Sequence, residues 1–113
     1  MCSNPLRRSE EQIRADMLKL TPIGMNMDDV IKIIGENPKW EIRHIRDWIG
    51  YGMAGGRPTD FTSIEENIVG VKSIRVYLGQ YRRFFAVGVS VFYGFDENSK
   101  LIDIAVLKET DGL

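Results

Sequence analysis

Apolar residues recur at helical spacing early in the chain and at every second position towards its end. Ser9-Glu10-Glu11-Gln12 reads as a capping box, in which Ser9 accepts from the backbone and Gln12 reaches back. Ile13, Met17, Leu18 and Leu20 follow as an apolar stripe, and Thr21-Pro22 ends the helix because the residue before proline leaves the helical region. A second helix is predicted after Asn26 as N-cap. Asp28 and Asp29 sit in its first turn, where the helix dipole favours negative charge. Met27, Val30, Ile31, Ile33 and Ile34 form its buried face, and Gly35 with Asn37-Pro38 stops it.

From Lys39 to Ile49 the period becomes two. Trp40, Ile42, His44, Arg46 and Trp48 fall on one side of this strand, and neither side is cleanly apolar. A bulge near Ile45 would switch faces partway. The glycine-dense run from Gly50 to Pro58 is expected to open a long connection reaching about Gly70, with one helical turn over residues 63–67. Three strands are predicted after it: Val71–Leu78, Phe84–Phe95 and Leu101–Lys108, the last two joined by the polar turn Asp96–Lys100. Ile74, Val76, Leu78, Val87, Val89, Val91, Ile102, Ile104 and Val106 are the expected core positions. Helices followed by strands indicate an α+β class, with two N-terminal helices packed on one face of a four-stranded antiparallel sheet. Residues 1–8 read as a flexible N-terminal segment and residues 9–113 as one domain.

Composition narrows the chemistry. The 113 residues carry 15 Lys+Arg and 16 Asp+Glu, for a net charge of −1, with one Cys and one His. A single Cys excludes a disulfide framework within the chain, and this donor set makes a zinc site implausible. His44 is the one histidine a catalytic site would have to use, and its bland reading is a residue on the sheet surface. No cofactor is expected, and the domain is expected not to be an enzyme. Scattered basic residues argue against a nucleic-acid partner. Tyr81-Arg82-Arg83-Phe84 mixes aromatic and basic residues, as single-strand binders do, but reads by default as a hairpin connection. The Gly50–Gly56 run lacks the following helix that a phosphate cradle needs.

Two further features suggest a setting. Cys2-Ser3-Asn4-Pro5 resembles the start of a mature bacterial lipoprotein, which makes Cys2 the candidate lipidation site. A native start at Met1 would instead make the protein cytoplasmic. Thr21-Pro22-Ile23-Gly24-Met25-Asn26-Met27-Asp28-Asp29-Val30, continuing to Gly35-Glu36-Asn37-Pro38, resembles the helix-turn signature of the small outer-membrane lipoprotein A group. Val91-Phe92-Tyr93-Gly94-Phe95-Asp96 and the residues to Leu101 resemble that group's closing hairpin. The resemblance implies the β-lactamase-inhibitor-protein-like fold, in which two helices pack on a four-stranded antiparallel sheet.

The expected function is therefore non-catalytic protein binding by a bacterial envelope lipoprotein, through a sheet face that the helices leave open. Trp40, Trp48, Arg75, Tyr77, Phe92 and Leu107 are the candidate partner-binding residues, because Trp, Tyr and Arg dominate interface energetics. The partner would be an envelope protein, with membrane contact only through a lipid on Cys2. Two alternatives are an inhibitor or immunity-type module that blocks an enzyme, and a binder of small ligands or cell-wall fragments with the 50–70 loop as a lid.

Overall fold

The computed structural model describes residues 5–60, 67–82 and 84–110. Both helices form where their caps place them. Helix α1 (Glu10–Leu20) starts on the expected box: Ser9 Oγ accepts from the Gln12 amide and Gln12 Oε1 accepts from the Ser9 amide, both at 3.1 Å. It closes where the Thr21 hydroxyl donates to the Met17 carbonyl at 2.7 Å. Helix α2 (Met27–Gly35) starts on Asn26, whose Oδ1 accepts from the Asp28 amide at 2.9 Å.

The chain then builds β1 (Glu41–Arg46), β2 (Tyr51–Ala54), β3 (Arg57–Thr59), β4 (Asn67–Val69), β5 (Lys72–Arg82), β6 (Ala86–Phe95) and β7 (Leu101–Thr110). The class is α+β. A four-stranded antiparallel sheet in the order β1-β5-β6-β7 is joined by a three-stranded sheet in the order β3-β2-β4. Ile13, Met17, Met27, Val30 and Ile34 of the helices share one core with Ile74, Val76, Leu78, Val89, Val91, Ile104 and Val106 of the sheet. These sheet residues are the alternating set that faces the helices.

The described part of the 50–70 stretch departs from expectation, for most of it is sheet. Gly55 and Gly56 have φ of 59° and 77°. Positive φ at both central residues is what a tight hairpin turn needs, so the glycine pair joins β2 to β3. Pro58 is tolerated because β3 is an edge strand. The expected turn over residues 63–67 lies outside the described residues up to position 66, and Asn67 begins β4.

The first strand is also shorter than its period suggested. It ends at Arg46, and its register shifts between Ile42 and His44, which puts the bulge at Arg43 rather than at Ile45. A second irregularity, where Phe95 pairs with Leu101 and Gly94 with Asp103, inserts an extra residue into β7. That turns Ile102 outward, 42% exposed, and buries Leu101 in its place. Part of the leading segment is described. Pro5–Arg7 forms a short 3-10 turn against β5, and Leu6 packs on the core.

The two sheet edges are blunted differently. Along β7, Arg14 Nε donates to the Ile104 carbonyl (3.0 Å), Glu10 Oε2 accepts from the Lys108 amide (3.0 Å) and Arg57 donates to the Lys108 carbonyl (2.8 Å). Strand β1 instead relies on shortness, its bulge and the charged side chains of Glu41, Arg43 and Arg46.

Candidate binding face

The side of the four-stranded sheet turned away from the helices carries Arg75 and Tyr77 from β5, Ser90 and Phe92 from β6, and Leu107 and Glu109 from β7. The structure thus brings four of the candidates, Arg75, Tyr77, Phe92 and Leu107, onto one surface. The small sheet covers part of it. Tyr51 meets Phe92 with ring centroids 5.9 Å apart, and these two residues and Leu107 form a second apolar cluster fringed by Met53, Val69 and Ala105. Phe92 and Leu107 are therefore 1% and 7% exposed, and they anchor the small sheet rather than lie open. The close approach depends on missing side chains. A Cβ on Gly94 would sit 2.8 Å from the Val69 backbone oxygen, and one on Gly50 would overlap it outright.

The remaining part of this side is polar. Arg75 is the hub, with its guanidinium 5.0 Å from the Phe92 ring centroid. Its Nη1 donates to Asp60 Oδ2, and Nη2 lies 3.4 Å from Glu109 Oε1. Its Nε–H is buried and has no hydrogen-bond acceptor among the described residues. Asp60 is shared. Arg46 donates to its carbonyl at 3.0 Å and stands 3.9 Å from its carboxylate, while His44 Nδ1 is 3.7 Å from Oδ1. Beyond this cluster, the Arg43 guanidinium lies 4.4 Å above the Tyr77 ring and also pairs with Glu41.

Two open clefts flank Arg75. One of about 640 Å³ runs from Ala54 and Arg57 past Asp60 to Lys108. The other, of about 340 Å³, lies over Tyr77, Gly88 and Ser90. They meet at Arg75, Glu109 and Thr110. Comparison with protein-family models, curated proteins and solved structures finds no match. The geometry alone therefore describes what this face can do. It offers fixed guanidinium donors, carboxylate acceptors and an aromatic ring to a ligand lying along it.

The two tryptophans do not join the face. Trp40 packs towards the helix-side core, where it lines a cleft of about 760 Å³ with Leu6, Ile13, Met17 and Leu78. The bulge in β1 and the strand's late start put it there. Trp48 stands 72% exposed in the bend after β1, because the strand stops before reaching it. Cys2 lies outside the described residues. Among the described residues, no group of three or more His, Cys, Asp and Glu side chains gathers as a metal site would.

Asp60, Arg46, Glu109 and Arg43 were not foreseen. Asp60 reaches Arg75 only because the glycine-turned hairpin delivers it. The Gly55-Gly56 pair between Met53-Ala54 and Arg57-Pro58-Thr59 was the available signal for that hairpin.

Two buried phenols mark the contrast between the sides. On the helix side, burial pushes the Tyr93 hydroxyl up to about 12. The nearby Thr21 hydroxyl acts in the opposite sense, and among the described residues the Tyr93 hydroxyl makes no hydrogen bond of ordinary geometry. Under the small sheet, burial and then the neighbouring Asp103 charge raise Tyr51 well above its ordinary value.

Proposed function

We propose that this domain is a non-catalytic protein-binding module of a bacterial envelope lipoprotein, and that it recognises its partner along the open part of the second sheet face. In this reading the two helices close the first face and supply the stability. The small sheet closes half of the second and leaves the groove centred on Arg75. The observation that carries the reading is the setting of Arg75: stacked on Phe92, held by Asp60 and Glu109, and placed where two clefts meet. A guanidinium fixed over an aromatic ring is pre-organised, so little rotamer entropy remains to be lost on binding. Arg43 stacked on Tyr77 extends the same chemistry along the groove. Arginine and tyrosine are the residue types that concentrate binding energy at interfaces.

The envelope setting rests on the Cys2-Ser3-Asn4-Pro5 start and on the likeness of residues 21–38 to the small outer-membrane lipoprotein A group. Acylation at Cys2 would supply the anchor, and incorporation of labelled palmitate that disappears in Cys2→Ala tests it. For the face itself, a photo-crosslinking side chain is placed at Gln80 or Thr110, beside the groove, and at Lys32 on α2 as control. In the native envelope, discrete adducts are expected from the first two positions and not from the third, and Arg75→Ala should abolish them. Adducts from Lys32 alone, or adducts insensitive to Arg75→Ala, would exclude the groove as the binding site.

A further inference from the structure

The β5–β6 hairpin ends in a tip that exposes two large apolar side chains. Phe84 there is 94% exposed and Phe85 is 45% exposed. The turn at the other end of β6 is built as polar turns usually are. Asp96 Oδ1 accepts from the Asn98 and Lys100 amides at 2.8 and 2.9 Å, and Lys72 bonds Ser99 at 2.6 Å. The contrast makes the phenylalanine pair a feature of this end and not of hairpin construction. Next to the tip, the fold assembles a basic collar from distant parts of the sequence. Arg7 donates to the Arg82 carbonyl at 2.6 Å and lies 5.1 Å from the Tyr81 ring centroid. Lys108 lies 5.0 Å from the same ring, donates to the Arg8 carbonyl at 2.5 Å and contacts the Tyr81 hydroxyl at 3.2 Å. Among the described residues neither the Arg7 guanidinium nor the Lys108 ammonium pairs with a carboxylate, although the Lys108 amide holds Glu10, whereas Arg8 pairs with Asp16 at 3.2 Å.

We propose that this hairpin tip docks on an anionic phospholipid surface, with Phe84 and Phe85 entering the interfacial layer and Arg7, Arg82 and Lys108 facing the headgroups. The proposal does not rest on the protein-binding groove, with which the tip and its collar share Lys108 alone among the described residues. Two observations favour a bilayer over other anionic partners. First, Phe84 projects from a convex tip, and a deformable lipid interface accepts it without the matching pocket that a protein would have to supply. Second, single-stranded nucleic acid is held along a basic groove that tracks its backbone, whereas Phe84 and Phe85 stand at the end of a hairpin. Aromatic residues beside a cluster of Arg and Lys suit a negatively charged membrane interface.

The test uses the full chain in flotation assays with phosphatidylcholine vesicles, with and without phosphatidylglycerol. Expected is binding to the anionic vesicles only, weakened by salt. Phe84→Ser should reduce it on the order of tenfold, and Arg7→Gln and Arg82→Gln each roughly fivefold. The fluorescence of Phe84→Trp should shift to shorter wavelength on anionic vesicles. Melting curves should stay at the wild-type position, since Phe84 is almost fully exposed. Arg75→Ala should leave vesicle binding unchanged, which separates this proposal from the groove. No flotation, equal binding to neutral vesicles, undiminished binding by Phe84→Ser, or binding of a single-stranded oligonucleotide or an acidic protein in place of lipid would overturn it.

Discussion

The two faces of the four-stranded sheet are made from the same alternating strands but by opposite means. The helix side is one continuous apolar cluster running from Ile13 to Val106, with Tyr93 bringing the buried phenol into it. The far side has three buried apolar residues, Tyr51, Phe92 and Leu107, and then gives way to Arg75, Asp60, Glu109, Arg46 and His44. Apolar burial scales with the area removed from water, so the first face holds most of the folding free energy. Exposed and half-exposed ion pairs add about 1 kcal/mol or less each. The faces thus divide the labour: one side is given over to stability, which frees the other to stay polar and half open.

Substitutions on the two sides should differ in size. Ile34→Ala, which removes side-chain volume from the helix-side core, should cost about 2–5 kcal/mol, read as a loss of global stability in denaturant titration. Alkaline titration comes next and acts on both sides, through Tyr93 and through Tyr51. The folded state holds Tyr93 neutral up to about pH 12, while the unfolded chain ionises near 10. Its contribution is thus fully present below pH 10 and is lost as pH rises towards 12, at about 1.4 kcal/mol per pH unit. Tyr93→Phe should remove its share of the alkaline slope and leave that of Tyr51, with little cost at neutral pH, because among the described residues the Tyr93 hydroxyl has no partner to lose.

On the far side, Gly94→Ala drives a methyl group into the Val69 backbone and should cost about 1–3 kcal/mol. Its signature is local: amides of β2–β4 lose protection while those of β5–β7 keep theirs. Smallest is Asp60→Asn, at or below about 1 kcal/mol, since its partners are themselves partly exposed. A cost of several kcal/mol there would show that the ion-pair cluster is a second core and would erase the contrast.

Much of this frame is legible in the chain. The capping residues Ser9 and Asn26 and the alternation through Val87, Val89 and Val91 specify local geometry directly, because caps and side-chain period are properties of neighbouring residues. The bulges are harder. Arg43 and Ile102 are extra residues in otherwise regular strands, and each reverses the in-out sense of the strand on either side of it, so period counting puts Trp40 and Ile102 on the wrong side. The small sheet escapes notice for another reason. Its strands are short, and only the Gly55-Gly56 pair marks the hairpin, so a glycine-rich run reads as an irregular loop. The Arg75–Asp60 pairing lies wholly in tertiary structure, and no local pattern announces it.

If the second face is closed only in part, and only weakly, by β2–β4, the two sheets must open at different free energies. Amide hydrogen exchange on the isolated domain, resolved by residue, measures that difference. Amides of β2 and β3 should exchange through an opening of markedly lower free energy than the global unfolding reported by Val89, Val91 and Ile104. Equal protection of both sets, lost together at one denaturant concentration, would contradict the division between the faces.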